Sequence, residues 1–262
     1  KSFESKLRFK SLFADLYSRF SLIEVQDAGS KTHVTRLGVP ATAVSVRRSL
    51  KAGAPPLDYD AIRLRALAKH LKKRFVWLAA STHALEERDV FEAHRIILEQ
   101  HDDALLILCP RDPARGAEVK AAAKAAGLMP QLQSLAPYIV PETNIFIADS
   151  IGEMGLWYSL CDLAFVGGSL EPVGGHNPWE PMRLNCAVIH GPYVENFDRD
   201  YRAAHEVGAA LEVQDAAGLA AAVLDKKTLK MRKKARGLLS AGEENLRDCA
   251  ATVLALVARD ER

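Results

Sequence analysis

The stretch from Phe165 to Asn185, "FVGGSLEPVGGHNPWEPMRLN", carries the residue types in this chain that are best suited to chemistry. Two Gly pairs follow an apolar run, and Gly lets a backbone approach a ligand or adopt a positive φ. Asn177 is a good N-cap with Pro178 at N1, so the following helix would present free N–H groups to a phosphate. The purely structural alternative is a capping box between Asn177 and Glu180.

Glu180 helps to separate these interpretations. A carboxylate in the first turn of a phosphate-binding helix would repel the phosphate unless it points elsewhere. In nucleotide sites a carboxylate usually accepts hydrogen bonds from ribose hydroxyls. We therefore expect Glu180 to hold a sugar hydroxyl rather than a phosphate.

Two other polar turns offer phosphate ligands. Arg111 in "CPRDPAR" could bind a phosphate through two hydrogen bonds, or pair with Asp112 at the surface. In "AASTHALEE", the hydroxyls of Ser81 and Thr82 could bind phosphate or cap the helix that begins near residue 86, and capping is favoured for Thr82. His83 in this turn is either a ligand or a solvated loop residue.

The turns "ADSIGEMG" and "HGPYVENF" complete the set. Gly152 and Gly155 flank Glu153, and this backbone could recognise the edge of a nucleotide base. The alternative is a capping box in which Ser150 is the N-cap and Glu153 completes the S-x-x-E pattern. The second turn offers a Glu195–Asn196 pair.

These turns follow apolar strands that alternate with helices from "RFVWLAAST" to "AALEV". Such alternation predicts an α/β fold with a Rossmann-like, doubly wound parallel sheet that is covered on both faces. Ligands of such sheets bind beyond the carboxyl ends of the strands. All five turns stand at such ends, which predicts a nucleotide site along one edge.

The first 50 residues have a different pattern. Gly53, Pro55 and Pro56 predict a linker over residues 51–57, between a segment 1–50 and a domain 58–262. In residues 1–20, apolar positions recur at helical intervals between basic ones. This amphipathic helix could pack on a partner domain or lie on an anionic membrane surface.

Composition excludes several classes of protein. The 262 residues contain no run long enough to span a membrane. Their net charge of +2 argues neither for nor against nucleic acid as a partner, and we expect none. The four Cys lie far apart without Cys/His ligand spacing, so we expect free thiols in a cytoplasmic protein without a metal. No phosphate loop of the GxxxxGK[ST] type, HExxH or GxSxG motif is present.

Taken together, "AASTHALEE", "LCPRDP", "DSIGEMGLWYSLCDLAFVGGSLEPVGGHNPWEP" and "HGPYVENF" resemble, in this order and spacing, the 3-deoxy-D-manno-octulosonic acid (Kdo) transferase family of lipopolysaccharide synthesis. The resemblance implies a two-domain GT-B glycosyltransferase that moves Kdo from CMP-Kdo to a lipid A precursor at the cytoplasmic face of the inner membrane. It implies no cofactor besides this donor substrate. A UDP-sugar-dependent GT-B enzyme and a non-catalytic nucleotide-binding remnant are the alternatives.

The resemblance also assigns roles to residues. Pro110 and Arg111 would contact the phosphate or cytidine, Ile151 to Met154 would frame the base, and Asn177 to Glu180 would hold phosphate and ribose. The complete set implied for CMP or donor binding is Ser81, Thr82, His83, Pro110, Arg111, Ile151, Gly152, Glu153, Met154, Gly168, Ser169, Gly175, His176, Asn177, Pro178, Trp179, Glu180, Glu195 and Asn196.

Two departures from the family pattern concern the beginning of the chain. The family base, a Glu in a Gly-rich turn early in the N-terminal domain, has no counterpart, so we expect the chain to supply the donor half and no catalytic residue. The second departure is in "SVRRSLKAG", where the family more often has a small residue and a Gly before "SLK" or "NLK". In the full enzyme, Arg111 and the helix from Asn177 would stabilise the CMP leaving group.

Overall fold

The structure is a computed structural model that describes residues 7–47 and 49–260, with side chains to residue 258. It divides into two units, one formed by the chain up to Ala54 together with residues from Leu239 onward, the other by Pro55–Leu238. The division after Ala54 falls inside the predicted linker 51–57. The predicted second domain runs to residue 262, whereas the structure groups the residues from Leu239 onward with the first unit.

The first unit is small. Strands β1 (Ile23–Val25) and β2 (Val44–Val46) pair in parallel, beside helices α1 (Lys10–Ser18) and α2 (Ala28–Arg36). In the stretch "ATAVSV" the strand is preceded by a 3-10 turn, Ala41–Ala43. Asp27 caps α2 by accepting a hydrogen bond from the Ser30 N–H, so this helix begins at Ala28.

The second unit contains a seven-stranded parallel sheet, as the alternation predicts. Its strands are β3 (Val76–Thr82), β4 (Leu105–Pro110), β5 (Pro130–Leu132), β6 (Ile145–Ile147), β7 (Leu163–Val166), β8 (Ala187–His190) and β9 (Ala210–Glu212). Their order in the sheet is β5-β6-β4-β3-β7-β8-β9, and every pair is parallel. The α/β fold class is confirmed.

Helices connect these strands and cover the sheet. They are α3 (Ala61–His70), α4 (Glu87–Leu98), α5 (Gly116–Ala125), α6 (Met154–Leu160), α7 (Trp179–Arg183), α8 (Asp198–Glu206), α9 (Ala216–Leu224) and α10 (Lys226–Met231), followed by α11 (Arg236–Asp260), which continues into the first unit. Within the described ranges, no helix is both long and apolar enough to cross a membrane.

Both faces of the sheet are buried. Along β3, Trp77 and Ala79 belong to one core cluster and Leu78 and Ala80 to the other. This alternation follows from the two-residue period of a strand, and it explains why the strands are apolar throughout. The central strands therefore hold the turns at their ends on a rigid base.

The sheet has a topological switch point between β3 and β7. From β3 the chain moves outward through β4 to the edge strand β5, places β6 between these two, and then returns to the other side of β3 as β7. In open α/β sheets the crevice at such a point, outside the carboxyl ends of the strands, is the usual ligand site. The turns after β3 and β7 contain residues 81–83 and 167–176.

Candidate nucleotide-binding site

A buried carboxylate, Glu86, organises the switch point. It is fully buried at the start of α4, and its Oε1 accepts hydrogen bonds from the backbone N–H groups of His83 (3.0 Å) and Gly168 (2.5 Å). Its Oε2 accepts from Ser169 (3.1 Å) and Leu170 (3.2 Å). One side chain thus holds the turn after β3 against the loop after β7.

The Gly pairs of this loop are required by its shape. A Cβ on Gly167 would lie 2.6 Å from Glu86 Oε1, so the carboxylate fits only against a Gly. Gly168 and Gly175 have φ values of 65° and 74°, and the Gly175 N–H donates to the Gly168 carbonyl (2.7 Å). The loop therefore closes on itself in a conformation that side chains disfavour.

The hydroxyls of Thr82 and Ser169 are used inside the protein. Thr82 is fully buried and donates to Glu87 Oε1 (3.1 Å), so it neither caps α4 nor faces solvent. Ser169 is also fully buried, donates to the Val166 carbonyl (2.6 Å) and accepts from the Gly191 N–H (2.8 Å). These two residues position the loops from within, while Ser81, with a φ of 56°, stands at a bulge in β3.

Two histidines and an arginine meet above this loop. His83 and His176 stack with ring centroids 5.1 Å apart, and their Nε2 atoms lie 2.8 Å from each other. Burial, together with the nearby charges of His83 and Arg111, lowers the pKa of His176 to about 4. Arg111 is exposed, and no residue in the described part of the chain forms an ion pair with it. The predicted alternative of a pair with Asp112 is wrong, because the Asp112 carboxylate caps the next turn at Ala114.

The turn before α7 matches the prediction in part. The Asn177 Oδ1 accepts from the Trp179 N–H (3.1 Å), and its Nδ2 donates to Glu180 Oε1 (3.1 Å). The helix begins at Trp179 and has five residues, so Pro178 rather than Asn177 stands at its N-cap position. Trp179 is buried and donates to Asp200 Oδ1 (2.9 Å), whereas Glu180 is half-buried.

The turn after β6 is built differently. Glu153 forms an ion pair with Arg63 and accepts hydrogen bonds from Gln133 (2.5 Å) and Ser150 (2.8 Å). Burial acts to raise the pKa of Glu153, but these three hydrogen bonds outweigh it and the pKa is lowered. The predicted capping box is wrong, since α6 begins at Met154 with Glu153 itself at the N-cap. Ile151 and Gly152 are exposed.

The turn after β8 packs against the loop that follows β7. The Asn196 N–H donates to the Gly174 carbonyl (2.9 Å), and its side chain donates to the Val173 carbonyl (3.3 Å). A Cβ on Gly174, whose φ is 104°, would lie 2.4 Å from Asn196 Nδ2, so a larger residue at this position would displace the Asn196 side chain. Glu195 is exposed at the start of a 3-10 turn.

The structure thus brings most predicted residues to one edge of the sheet. Four turns follow the neighbouring strands β3, β4, β7 and β8, and they contain residues 81–83, 110–111, 168–180 and 195–196. The first two of these turns are joined by a hydrogen bond from the Arg111 N–H to the Thr82 carbonyl (2.9 Å). Pro110 and Pro178 are buried within these turns. Residues 151–154 follow β6, two strands from β3.

The residue that sequence reasoning missed is Glu86. Its one sequence signal is the position three residues after His83, where a Glu often accepts from the backbone N–H of a helix start. Its bonds to residues 168–170 join parts of the chain more than 80 positions apart, and no local pattern reports them.

Comparisons with known proteins agree with this geometry. The chain is 34% identical to the C-terminal CMP-Kdo binding domain of WaaA from Acinetobacter baumannii, with a TM-score of 0.62, covering 71% of this chain and 96% of that one. It is 33% identical over 211 residues to the 3-deoxy-D-manno-octulosonic acid transferase of Haemophilus influenzae, which covers 80% of this chain and 49% of that protein. No protein-family model matches.

A more distant likeness extends over more of the chain. Anabaena HepE, solved with UDP-glucose, is 15% identical with a TM-score of 0.52, covering 95% of this chain and 68% of that one. The fold class is therefore that of GT-B glycosyltransferases. The chain belongs to the 3-deoxy-D-manno-octulosonic acid transferase family. It spans about half the length of the curated relatives that it matches, or less.

Proposed function

We propose that this chain binds CMP-Kdo and supplies the donor half of a Kdo transferase that acts on a lipid A precursor. The observation that carries the proposal is the exposed Arg111, next to the stacked His83–His176 pair at the switch point of the sheet. Three nitrogen-bearing side chains there suit an anionic phosphate. The likeness to a CMP-Kdo binding domain supports cytidine as the nucleoside.

The remaining turns divide the nucleotide between them. The backbone of the exposed residues Ile151 and Gly152 would recognise the cytosine edge, since Glu153 is already bound to protein partners. Glu180 uses one oxygen for Asn177, which leaves the other for a ribose hydroxyl. Thr82 and Ser169 would position these turns without touching the nucleotide.

The same arrangement suits the transfer step. When an acceptor hydroxyl attacks the sugar, the bond between the anomeric carbon and the CMP phosphate breaks and negative charge develops on the leaving phosphate. Arg111, already in place, would stabilise this charge. The general base would come from the N-terminal domain of the family, and the reaction would need no metal or other cofactor.

Calorimetric titration with CMP tests the donor site. Arg111→Ala should weaken CMP binding by about 10- to 100-fold, because a charge-assisted hydrogen bond to phosphate contributes about 1.5–3 kcal/mol. Arg88→Ala is the matched control, since Arg88 is exposed on α4 and makes only a 3.6 Å contact with Asp89. Unchanged affinity in Arg111→Ala would remove this residue from the site.

Two further measurements address the alternatives. Equal or tighter binding of UMP and UDP than of CMP would favour a UDP-sugar enzyme. Incubation with CMP-Kdo and a lipid A precursor, alone and with the N-terminal half of a relative, distinguishes a transferase from a binding remnant. Product in either incubation supports a transferase, and CMP binding without product in both supports the remnant.

A membrane contact of α1 is the finer part of the proposal. Phe9, Leu12, Leu16 and Phe20 are between 47% and 63% exposed, and the first six residues of the predicted amphipathic segment 1–20 lie outside the described residues. We propose that this face lies on the anionic inner surface of the membrane. Co-sedimentation with anionic vesicles should be lost in Leu12→Asp and kept in Asp15→Asn.

A further inference from the structure

A cluster of two histidines and a glutamate lies at the same edge of the sheet, beyond the candidate nucleotide site. His190 ends β8 and Glu212 ends β9, and the two are directly paired in the parallel register. His205 comes from α8. One ligand atom from each residue lies within 4.8 Å of the others. The three are 15 and 7 positions apart in the sequence, so no ligand spacing predicts them.

The hydrogen bonds of His190 define which ring nitrogen is available. Its Nδ1 lies 2.6 Å from the Gly191 carbonyl oxygen, which only accepts, so Nδ1 carries the proton and donates. The neutral ring then has its lone pair on Nε2, and this atom lies 2.8 Å from His205 Nε2. A histidine that ligates a metal almost always donates its other N–H to a carbonyl or carboxylate, as His190 does.

We propose that His190, His205 and Glu212 form a binding site for a divalent transition-metal ion of the zinc class. Two imidazoles and one carboxylate, with water as the fourth ligand, are a frequent zinc set. Zn–N bonds of about 2.0–2.1 Å in tetrahedral geometry place two nitrogens about 3.3 Å apart, so the rings need to separate by about half an ångström. His205 is exposed on a helix and can make this shift.

The proton count closes with a change of tautomer. Without metal, the His205 Nε2–H donates to the His190 Nε2. When the ion binds, this proton leaves to water and His205 Nδ1 takes one up from water, so both rings stay neutral. Glu212 uses its Oε1 for a 2.7 Å hydrogen bond from Gln214, which leaves Oε2 for the ion.

The site is joined to the candidate nucleotide loop. The Tyr201 ring packs on His190 with centroids 4.2 Å apart, and its hydroxyl donates to the His176 carbonyl (3.0 Å). The Gly191 N–H donates to Ser169 Oγ (2.8 Å). A bound ion would therefore cross-link β8, β9 and α8 directly behind this loop, and its role would be to stiffen that edge. The proposal does not depend on CMP-Kdo as the ligand.

Zinc titration of chelator-treated protein tests the site. We expect one ion per chain, a higher Tm with zinc, and visible Co²⁺ ligand-field bands of tetrahedral intensity. His205→Ala and Glu212→Gln should each weaken zinc binding by at least about 10-fold and reduce the rise in Tm at the same zinc concentration. Both residues are exposed, so we expect the variants to fold, and circular dichroism checks this.

Two controls make the result decisive. His33→Ala removes an exposed histidine of the first unit and should leave zinc affinity unchanged. His83→Ala should also leave it unchanged. If His83→Ala loses the ion while His205→Ala keeps it, the metal binds the His83–His176 pair and the proposal is overturned. Zinc binding that no variant alters, or no binding at all, overturns it as well.

Discussion

Glu86 and Glu153 stand at two turns on the same edge of the sheet, and the protein uses them in opposite ways. Glu86 is fully buried and accepts only from backbone N–H groups, three of them consecutive in residues 168–170. Glu153 is 26% exposed and is bound by the side chains of Arg63, Gln133 and Ser150. Glu86 therefore holds a backbone segment in place, whereas Glu153 is itself held in place by other side chains.

The difference explains which part of each turn is available to a ligand. At the switch point the N–H groups of His83 and of residues 168–170 already donate to Glu86, so we expect ligand contacts there to come from side chains such as Arg111 and His176. At the turn after β6 the side chain of Glu153 is already bound to protein partners, whereas Ile151 and Gly152 are exposed residues. This division suits a site in which phosphate is bound by charge and a base edge by backbone.

The largest effect should come from Glu86→Gln. This change keeps the volume but replaces one acceptor oxygen with an amide that faces backbone N–H groups. Buried donors that lose a charged acceptor cost about 1–3 kcal/mol each, so we expect the free energy of unfolding to fall by about 2–4 kcal/mol in urea titrations. The backbone amides of residues 168–170 should also exchange their hydrogens faster in this variant.

Glu92→Gln is the matched control for this substitution. Glu92 lies on the same helix and forms an exposed ion pair with Arg95, in which the two side chains are 50% and 55% exposed. Such pairs contribute at most about 1 kcal/mol. If Glu86→Gln is no more destabilising than Glu92→Gln, Glu86 does not anchor the loop.

The two turns should also differ in acid. The pKa of His176 is lowered to about 4, so between pH 6.5 and 4 the unfolded chain binds more protons than the folded one. The stability that the neutral ring contributes is complete above pH 6.5 and is lost as the pH falls towards 4. In His176→Gln the loss between pH 7 and 4.5 should be smaller by about 1 kcal/mol, given the partial exposure of the ring.

His94 and His190 contribute to the same acid response. Burial lowers the pKa of each to about 4, and neither is changed in the variant. Urea titrations at the two pH values, on wild type and His176→Gln side by side, isolate the contribution of the loop. An equal loss in both proteins would show that His176 takes up no extra proton on unfolding.

The parallel sheet and the polar turns at the carboxyl ends of its strands could be predicted because they depend on the local pattern of apolar and polar residues. Apolar strands alternating with helices predict parallel strands, and parallel strands place all their carboxyl-end turns together. The strand Pro130–Leu132 and helix α3 were not predicted. A three-residue strand that begins with Pro spans little more than one two-residue period, so no alternation is visible in its sequence.

The side-chain contacts within the site could not be predicted because they join residues that are far apart in the sequence. The bulge at Ser81 shifts the two-residue alternation of β3, so the burial of Thr82 does not follow from its position. Glu86 meets residues 168–170, and His190 meets Glu212, only through the order of the strands. The sequence shows which residues are present at each turn but not which of them bind one another.

The smallest effect should come from Glu153→Gln. The Arg63–Glu153 pair is partly exposed, with side chains 29% and 26% accessible, so its loss should lower the free energy of unfolding by less than about 1 kcal/mol at pH 7. The lowered pKa means that this contribution is present above about pH 4.5 and disappears below it, so wild type and variant should converge in acid.

The same variant decides whether the carboxylate itself touches the nucleotide. If Glu153 only holds its turn, the amide of the Glu153→Gln variant keeps most of the hydrogen bonds and CMP affinity should change by less than about 3-fold, a difference of under about 0.7 kcal/mol. Glu142→Gln, at an exposed position before β6, is the control for the substitution. A loss of affinity as large as that of Arg111→Ala would mean that Glu153 binds the ligand directly. In that case both turns would bind the nucleotide through side chains, and Glu86 and Glu153 would differ only in their protein partners.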